Sequence, residues 1–151
     1  MKEILLTHGM ATTVDDAMYE TLNRFRWYAK QRGRTWYVYR KRKTDGKQHS
    51  IYMHREILGL EPGDGLEADH RNGNGLDNRL RKLRIVTHQE NNFNRHRCRG
   101  YMRRRKSYYG AIRVHDREIW LGTFTSARDA HHAYLEAKKT YHRIPDRRTR
   151  R

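Results

Sequence analysis

The chain has 151 residues, of which only 35% are hydrophobic and 34% are charged, so a single large apolar core is excluded. The formal net charge of +17 is hard to explain without a polyanionic partner, and nucleic acid is the leading candidate. No run of residues approaches the roughly 18 apolar positions of a membrane-spanning helix, so a membrane is the weaker interpretation of the charge.

The single cysteine, Cys98, excludes an intramolecular disulfide and a cysteine-rich zinc site. Any bound metal would therefore use oxygen and nitrogen ligands. The first residues lack the apolar segment of a signal peptide, so we expect a cytosolic protein.

The first elements predicted along the chain are a helix and a hairpin. The spacing of apolar residues predicts a helix over residues 14–26, with Asp15 as N-cap and a core stripe of Ala17, Met18, Thr21, Leu22 and Phe25. Strand-like runs at 35–40 and 48–53 flank Asp45-Gly46, a strong hairpin signal. A short helix over 55–58 should stop at Gly59, and residues 62–65 should form a turn.

A second group of elements is predicted after residue 94. Residues 95–106 are strongly basic and predict a linker that lies on phosphates. Two strands are expected at 108–114 and 118–124, joined by a turn at 115–117. A helix should open within 125–129 and bury one face. That face comprises Ala127, Ala130, Ala133, Tyr134, Ala137 and Tyr141. The basic residues from Arg143 to Arg151 predict a further electrostatic contact.

The strongest chemical signal is a cluster of Asp, His and Asn between residues 67 and 92. Asp69 and His70 should end a strand, and adjacent strand residues point to opposite faces, so Asp69 can face a cation while His70 faces a water. Thr87 and Glu90 have capping-box spacing, which predicts a helix that begins at Thr87 and carries Asn91.

The pattern across residues 52–94 resembles the HNH endonucleases, particularly the phage-type homing endonucleases. The resemblance depends on Met53-His54-Arg55, Asp69-His70, Asn78-Arg79, Leu83-Arg84, Val86-Thr87 and Asn91. It implies a ββα-metal fold in which His70 is the general base and Asp69 and Asn91 bind one divalent cation. Lys82 stands where the family has its middle Asn, a residue that braces the loop, and Asn78 is the candidate to replace it.

These residue types suit phosphodiester hydrolysis. A neutral imidazole can take the proton of an attacking water near physiological pH. A hard cation held by oxygen ligands stabilises the charge that develops on the phosphate and the leaving oxygen. The absence of cysteine pairs and of a histidine trio favours Mg²⁺ or Mn²⁺ over zinc.

Residues 100–142 resemble the AP2 DNA-binding domain, which is a three-stranded sheet backed by one helix. The resemblance depends on Gly100-Tyr101, on residues 108–113, on Trp120-Leu121-Gly122-Thr123-Phe124, and on Ala127 through Ala133-Tyr134. It implies that the sheet enters the major groove. Five residues on or beside the strands are the candidate DNA contacts, most of them to phosphates and one or two to bases. These are Arg103, Arg105, Arg113, Arg117 and Trp120.

Together these observations predict an α+β protein with four segments. They are an N-terminal helix and hairpin (1–51), the HNH motif (52–96), an AP2-like module (97–144) and a basic tail (145–151). The predicted function is metal-dependent nicking or cutting of double-stranded DNA by a phage homing-type nuclease in the host cytoplasm. A monomer is expected, and with one metal site per chain it should nick. The alternatives are a catalytically inactive DNA-binding regulator descended from a nuclease and a protein that binds or cleaves RNA.

Overall fold

Short strands and short helices make up the fold. The computed structural model describes residues 1–93, 98–115 and 117–147. The strands are β1 Lys2–Leu5, β2 Ala11–Val14, β3 Tyr28–Arg32, β4 Thr35–Thr44, β5 Lys47–Tyr52, β6 Leu66–His70, β7 Leu83–Thr87, β8 Tyr101–Arg104, β9 Ser107–Val114 and β10 Arg117–Phe124. The helices are α1 Asp16–Leu22, α2 Met53–Ile57, α3 His88–Phe93 and α4 Ala127–Tyr141, with single 3-10 turns at Thr7–Gly9 and Leu80–Lys82. The predicted α+β class is confirmed.

The chain divides into two compact units. The first unit comprises Met1–His88 together with the segment that starts at Asp146, and the second comprises Gln89–Pro145. The predicted boundary between residues 96 and 97, the start of the basic stretch at 95–97, the turn residue Asp116 and the tail residues 148–151 lie outside the described residues. None of the described helices is long and apolar enough to span a membrane.

The first unit contains three small antiparallel sheets. Their strand orders are β1-β2, β3-β4-β5 and β6-β7. The larger core cluster lies among the first five strands and α1 and α2. It comprises Ile4, Leu6, Val14, Leu22, Trp27, Val38 and Met53. Strands β1 and β3 have few buried residues, which explains why hydrophobic periodicity did not predict them.

Helix α1 is shorter than the helix predicted over residues 14–26. It ends at Leu22, where the indole nitrogen of Trp27 donates a hydrogen bond to the Leu22 carbonyl at 2.7 Å and the Trp27 ring enters the core. Of the predicted core stripe only Leu22 is buried, and Phe25 is 40% exposed. Asp15 precedes the helix, but its carboxylate accepts from the Leu80 backbone N–H rather than from the helix.

The predicted hairpin is present in β4 and β5. Asp45 and Gly46 have φ values of 51° and 74°, the left-handed pair that a two-residue type I′ turn requires. Both strands extend further toward this turn than the sequence indicated. The prediction of Met53 as a strand residue is wrong, because Met53 opens α2 and is fully buried in the core. Gly59, at φ 65°, follows the end of α2 as expected.

Strands β6 and β7 form the second hairpin, which α3 follows directly in sequence. Residues Leu58, Leu60, Leu83 and Ile85 form the core cluster beside this hairpin. The order of two antiparallel strands and a helix is the order expected of the ββα motif. Helix α3 begins at His88, directly after Thr87, so Thr87 stands at the N-cap position that its capping-box spacing with Glu90 indicated. On β7, Ile85 also forms an antiparallel bridge with Arg147.

The second unit contains a three-stranded antiparallel sheet, in the order β10-β9-β8, and helix α4 packs on it. Ser126 caps the helix by accepting from the Asp129 backbone N–H at 3.1 Å. Ile112 on the sheet and Ala130 and Tyr134 on the helix are buried. Tyr141 is 43% exposed, so its prediction as a core residue is wrong.

The prediction of a linker over 95–106 is wrong at residues 101–104. Residues Tyr101–Arg104 form β8, which pairs with β9 from Tyr101 opposite Gly110 to Arg104 opposite Ser107. Arg103 and Arg104 therefore belong to a sheet rather than to an extended connection.

Candidate active site and DNA-binding faces

His70 is the last residue of β6, where it pairs with Leu83 and is only 4% exposed. Two aromatic side chains flank its imidazole. The ring centroid of His54 lies 5.0 Å away and that of Tyr37 lies 6.0 Å away. The predicted general base is thus held in a packed environment at the point where the strand enters the loop.

The side chain of Asn78 is bonded to His70. His70 Nε2 lies 3.2 Å from Asn78 Oδ1, and Asn78 Nδ2 donates to the Gly75 carbonyl at 3.3 Å. A backbone carbonyl only accepts, so the bond to Gly75 favours the orientation in which the amide nitrogen faces Gly75 and Oδ1 faces His70. In this orientation His70 donates from Nε2, and Nδ1 is then the basic nitrogen of the neutral ring.

Burial lowers the pKa of His70 below its ordinary value, while the bond to Asn78 and the nearby Asp69 carboxylate act in the opposite direction. A His70 with a lowered pKa is neutral at physiological pH. It can then accept a proton, as a general base must.

The loop after His70 is held by strands from the N-terminal segment. A Cβ at Gly75 would lie 2.0 Å from the Trp36 carbonyl oxygen on β4, so only glycine permits this approach. Thr13 on β2 donates its backbone N–H to Leu76 and accepts from the backbone N–H of Asn78, at 3.0 and 2.8 Å. The loop is thus fixed on two strands that precede the HNH motif.

Asp69 lies opposite Arg84 in the β6-β7 register and is 7% exposed. Arg84 reaches one carboxylate oxygen, Oδ2, from Nε at 2.8 Å and from Nη2 at 2.7 Å. A carboxylate of this kind is a hard oxygen donor and fits Mg²⁺ or Mn²⁺.

Asn91 lies in α3, whose residues after His88 belong to the second unit, and its side chain is half-buried. The described residues contain no group of three or more His, Cys, Asp or Glu side chains that could hold a metal. The prediction of Asp69 and Asn91 as metal ligands therefore rests on the family resemblance.

The sequence did not place His54 and Tyr37 in this site. The two rings lie 5.6 Å apart, and the charge of Asp69 contributes, after burial, to a raised pKa of the Tyr37 phenol. Both residues are distant from His70 along the chain. In the sequence, only the Met53-His54-Arg55 motif pointed to His54, and that motif does not specify that the His54 ring contacts His70.

One face of the β3-β4-β5 sheet is rich in tyrosine and cations, and we call it the tyrosine face. Tyr28, Tyr39 and Tyr52 lie side by side in register, with ring centroids 5.6 and 6.2 Å apart. The alternation of the strands adds Lys30, Arg32, Tyr37, Lys41 and Lys43 to the same face. No acidic residue occupies it in β3–β5, all of which the structure describes.

The tyrosine face reaches the site of His70 through Tyr37, whose ring contacts that of His70. Lys41 Nζ lies 5.6 Å from the ring centroid of Tyr28, and Arg32 Cζ lies 5.7 Å from that of Tyr52. Aromatic rings interleaved with cations provide stacking and phosphate contacts for a nucleic acid. The sequence predicted only a hairpin over 35–40 and 48–53 and indicated neither β3 nor a nucleic-acid-binding face here.

The five predicted DNA contacts of the second unit do not share one face. Register places Arg113 and Trp120 on the face opposite α4, where Trp120 is 61% exposed. Arg103 pairs with Tyr108, and Arg117 pairs with Val114, on the face that also carries the buried Ile112.

The outer face of this sheet also carries residues that were not predicted as DNA contacts. Met102 pairs with Tyr109 and is 57% exposed, and Arg104 Cζ lies 4.6 Å from the Tyr109 ring centroid. Arg105 lies in the β8-β9 turn at φ 47°. The outer face therefore combines Met102, Arg104, Tyr109, Arg113 and Trp120.

Part of the chain matches a known protein family. Residues 52–93 match the family model described as HNH endonuclease, which covers β6, β7 and α3 and both Asp69 and His70. The match supports an HNH nuclease, a hydrolase that acts on DNA. No curated protein and no solved structure matches the chain significantly.

Proposed function

We propose that this protein is a metal-dependent HNH endonuclease of the phage homing type that nicks or cuts double-stranded DNA. The observation that carries the proposal is the environment of His70. His70 is buried at the end of β6, next to Asp69, and its Nε2–H is bonded to Asn78 within the segment that matches the HNH family.

The residues around His70 support a general-base step. Nδ1 of the neutral ring takes a proton from a water molecule, and the resulting hydroxide attacks the phosphorus. The bond from phosphorus to the 3′ oxygen then breaks and leaves a 5′ phosphate. The 3′ oxygen takes a proton from a solvent water to become a hydroxyl, and the imidazolium returns its proton to solvent. Asn78 Oδ1 continues to accept from Nε2–H and stabilises the imidazolium that forms.

Asp69 and Asn91 would hold the divalent cation through a carboxylate and an amide oxygen. When bound, Mg²⁺ or Mn²⁺ stabilises negative charge on the phosphate and on the leaving oxygen. Arg84 bonds Asp69 through Oδ2 and so orients the carboxylate.

Two surfaces would hold the DNA. The tyrosine face extends from the site of His70 and offers cations and rings to one strand. In the second unit, the outer face with Arg113 and Trp120 would enter the major groove, as the resemblance to the AP2 domain implies. The charge of +17 supports a polyanionic substrate.

A catalytically inactive DNA-binding regulator is the second candidate. Two observations favour it. Lys82 replaces the middle Asn of the family, with its backbone carbonyl bonded to the Arg71 N–H at 2.9 Å, and Arg84 partly neutralises Asp69. Such a protein would bind DNA equally well with and without the divalent metal and would leave it intact.

The test is conversion of supercoiled plasmid and phage DNA at low salt with Mg²⁺, Mn²⁺ or EDTA. We expect open circles with either metal, none with EDTA, and a loss of cleavage in Asp69→Asn with DNA binding retained. Asp16→Asn, which removes one carboxylate from the exposed start of α1, is the matched control. DNA binding without cleavage in wild type under every metal condition would select the regulator.

A further inference from the structure

We infer that Thr12, on β2 outside the HNH motif, is a positioning residue that keeps His70 in its proton-accepting form. Thr12 is 1% exposed, and its hydroxyl oxygen lies 2.8 Å from Asn78 Nδ2. It therefore touches neither substrate nor metal and acts on His70 through Asn78. The catalytic consequence rests on the proposed function, whereas the effect on the His70 ring does not.

The Leu76 carbonyl, which can only accept, indicates the direction of the hydrogen bonds around Thr12. The Thr12 hydroxyl donates to the Leu76 carbonyl at 2.8 Å, an acceptor that the Thr13 backbone N–H also uses at 3.0 Å. With its hydrogen directed at Leu76, the Thr12 oxygen presents a lone pair to Asn78. The amide nitrogen of Asn78, and not its oxygen, must then face Thr12.

This arrangement sets which nitrogen of His70 carries the proton. Asn78 Nδ2 bonds Thr12 at 2.8 Å and Gly75 at 3.3 Å, so the bond to Thr12 is the shorter of the two. Together they turn Oδ1 toward His70, which must donate from Nε2. A flipped amide would present N–H groups to His70 instead. The proton would then move to Nδ1, and the lone pair that accepts from water would be lost.

The experiment measures the tautomer of His70 directly in the full-length protein. Nitrogen-15 spectra of the histidine rings, without metal or DNA at pH 7.5, distinguish an Nε2–H ring from an Nδ1–H ring, and His70→Ala assigns the signal. Wild type should be Nε2–H. Thr12→Val, which replaces the hydroxyl with a methyl, leaves only the longer bond to Gly75 to hold the amide and should increase the fraction of the Nδ1–H form. Thr12→Ser, which restores the hydroxyl, should match wild type.

Single-turnover cleavage at saturating duplex DNA supplies the second readout. Thr12→Val should lower the rate by about ten- to a hundredfold, the loss typical of residues that orient a catalytic group through an intervening side chain. Its DNA affinity should be unchanged. Thr12→Ser should retain the rate. Thr13→Val makes the same substitution at the next position of β2, where the side chain has the opposite orientation and the backbone bonds are kept, and it should also retain the rate.

An Nδ1–H ring in wild type overturns the inference whatever the variants do. So does a folded Thr12→Val that keeps both the Nε2–H ring and the rate. If thermal melting shows that Thr12→Val does not fold, Thr12→Ala takes its place with the same expected shift. Failure of the proposed function is a separate outcome: the tautomer would respond to Thr12 as expected, while wild type cleaves no DNA.

Discussion

The His54 side chain, beside His70, is buried and closely packed. It is 7% exposed, and its Nδ1 is buried without a hydrogen-bond partner among the described residues. Its ring packs between those of Tyr37 and Tyr52, each 5.6 Å away. Burial lowers the pKa of His54 to about 3, and the positive charges that His70 and Arg55 can carry act in the same direction.

The lowered pKa of His54 predicts how stability depends on pH. Unfolded His54 titrates near its ordinary pKa of 6.5, whereas folded His54 stays neutral down to about 3. Below pH 6.5 the unfolded state binds a proton that the folded state does not. The free energy of unfolding should therefore fall with falling pH, by about 1.4 kcal/mol per pH unit from this residue.

Urea unfolding between pH 5 and 6.5 measures this dependence. His54→Phe keeps an aromatic ring and removes the titrating group, so its free energy of unfolding should vary less steeply with pH than that of wild type. His132, exposed on α4, provides the control: His132→Phe should leave the slope unchanged. Equal slopes in wild type and His54→Phe would contradict the predicted burial of a neutral His54.

At the scale of elements, the two faces of the β3-β4-β5 sheet should differ in DNA binding. Lys41 and Lys43 lie on the tyrosine face, and each phosphate contact releases counterions on binding. Lys41→Ala with Lys43→Ala should weaken binding and reduce the slope of log affinity against log salt by about 1 per lysine. Binding isotherms at several salt concentrations, in EDTA, measure that slope.

Arg42 provides the matched control for this prediction. It lies between the two lysines on β4 but on the other face of the sheet. Arg42→Ala should change the salt slope less than either lysine substitution does. An equal change from Arg42 would show that the hairpin binds DNA through its charge alone, without a preferred face.

The register of the sheet in the second unit predicts a similar difference in DNA binding between its two faces. Arg113→Ala and Trp120→Ala alter the outer face and should relax the preference for a target site, with a loss of about 1–3 kcal/mol for a residue that contacts a base. Arg117→Ala alters the face that α4 covers and should leave site preference intact. Competition between specific and random duplexes measures the preference. Unchanged selectivity in Arg113→Ala and Trp120→Ala would contradict an AP2-like mode of binding.

At the scale of the whole molecule, short sequence motifs predicted the turns and helix starts that depend on neighbouring residues. Asp45-Gly46 predicted the β4-β5 turn because its left-handed backbone suits those two residue types. Ser126 with Asp129 indicated the start of α4 because the cap is formed within one turn. The Asp69-His70 pair was correctly placed at the end of a strand.

Contacts between distant parts of the chain were not predictable from local patterns. Asn78 and Thr12 are 66 positions apart, yet their hydrogen bond orients the loop beside His70. The pairing of Asp69 with Arg84 depends on strand register, as does the separation of Arg103 and Arg117 from Arg113. The sequence thus predicted candidate residues for the chemistry, while tertiary structure determined the partners of those residues.

The central claim is that His70 is the general base of a DNA endonuclease. The most direct measurement is the single-turnover cleavage rate of His70→Ala at saturating duplex DNA with Mg²⁺, compared with wild type and with the surface control His132→Ala. We predict a loss of at least about a hundredfold in His70→Ala, with unchanged DNA affinity and a wild-type rate in the control. A His70→Ala protein that folds, binds DNA and cleaves it at the wild-type rate would contradict the account.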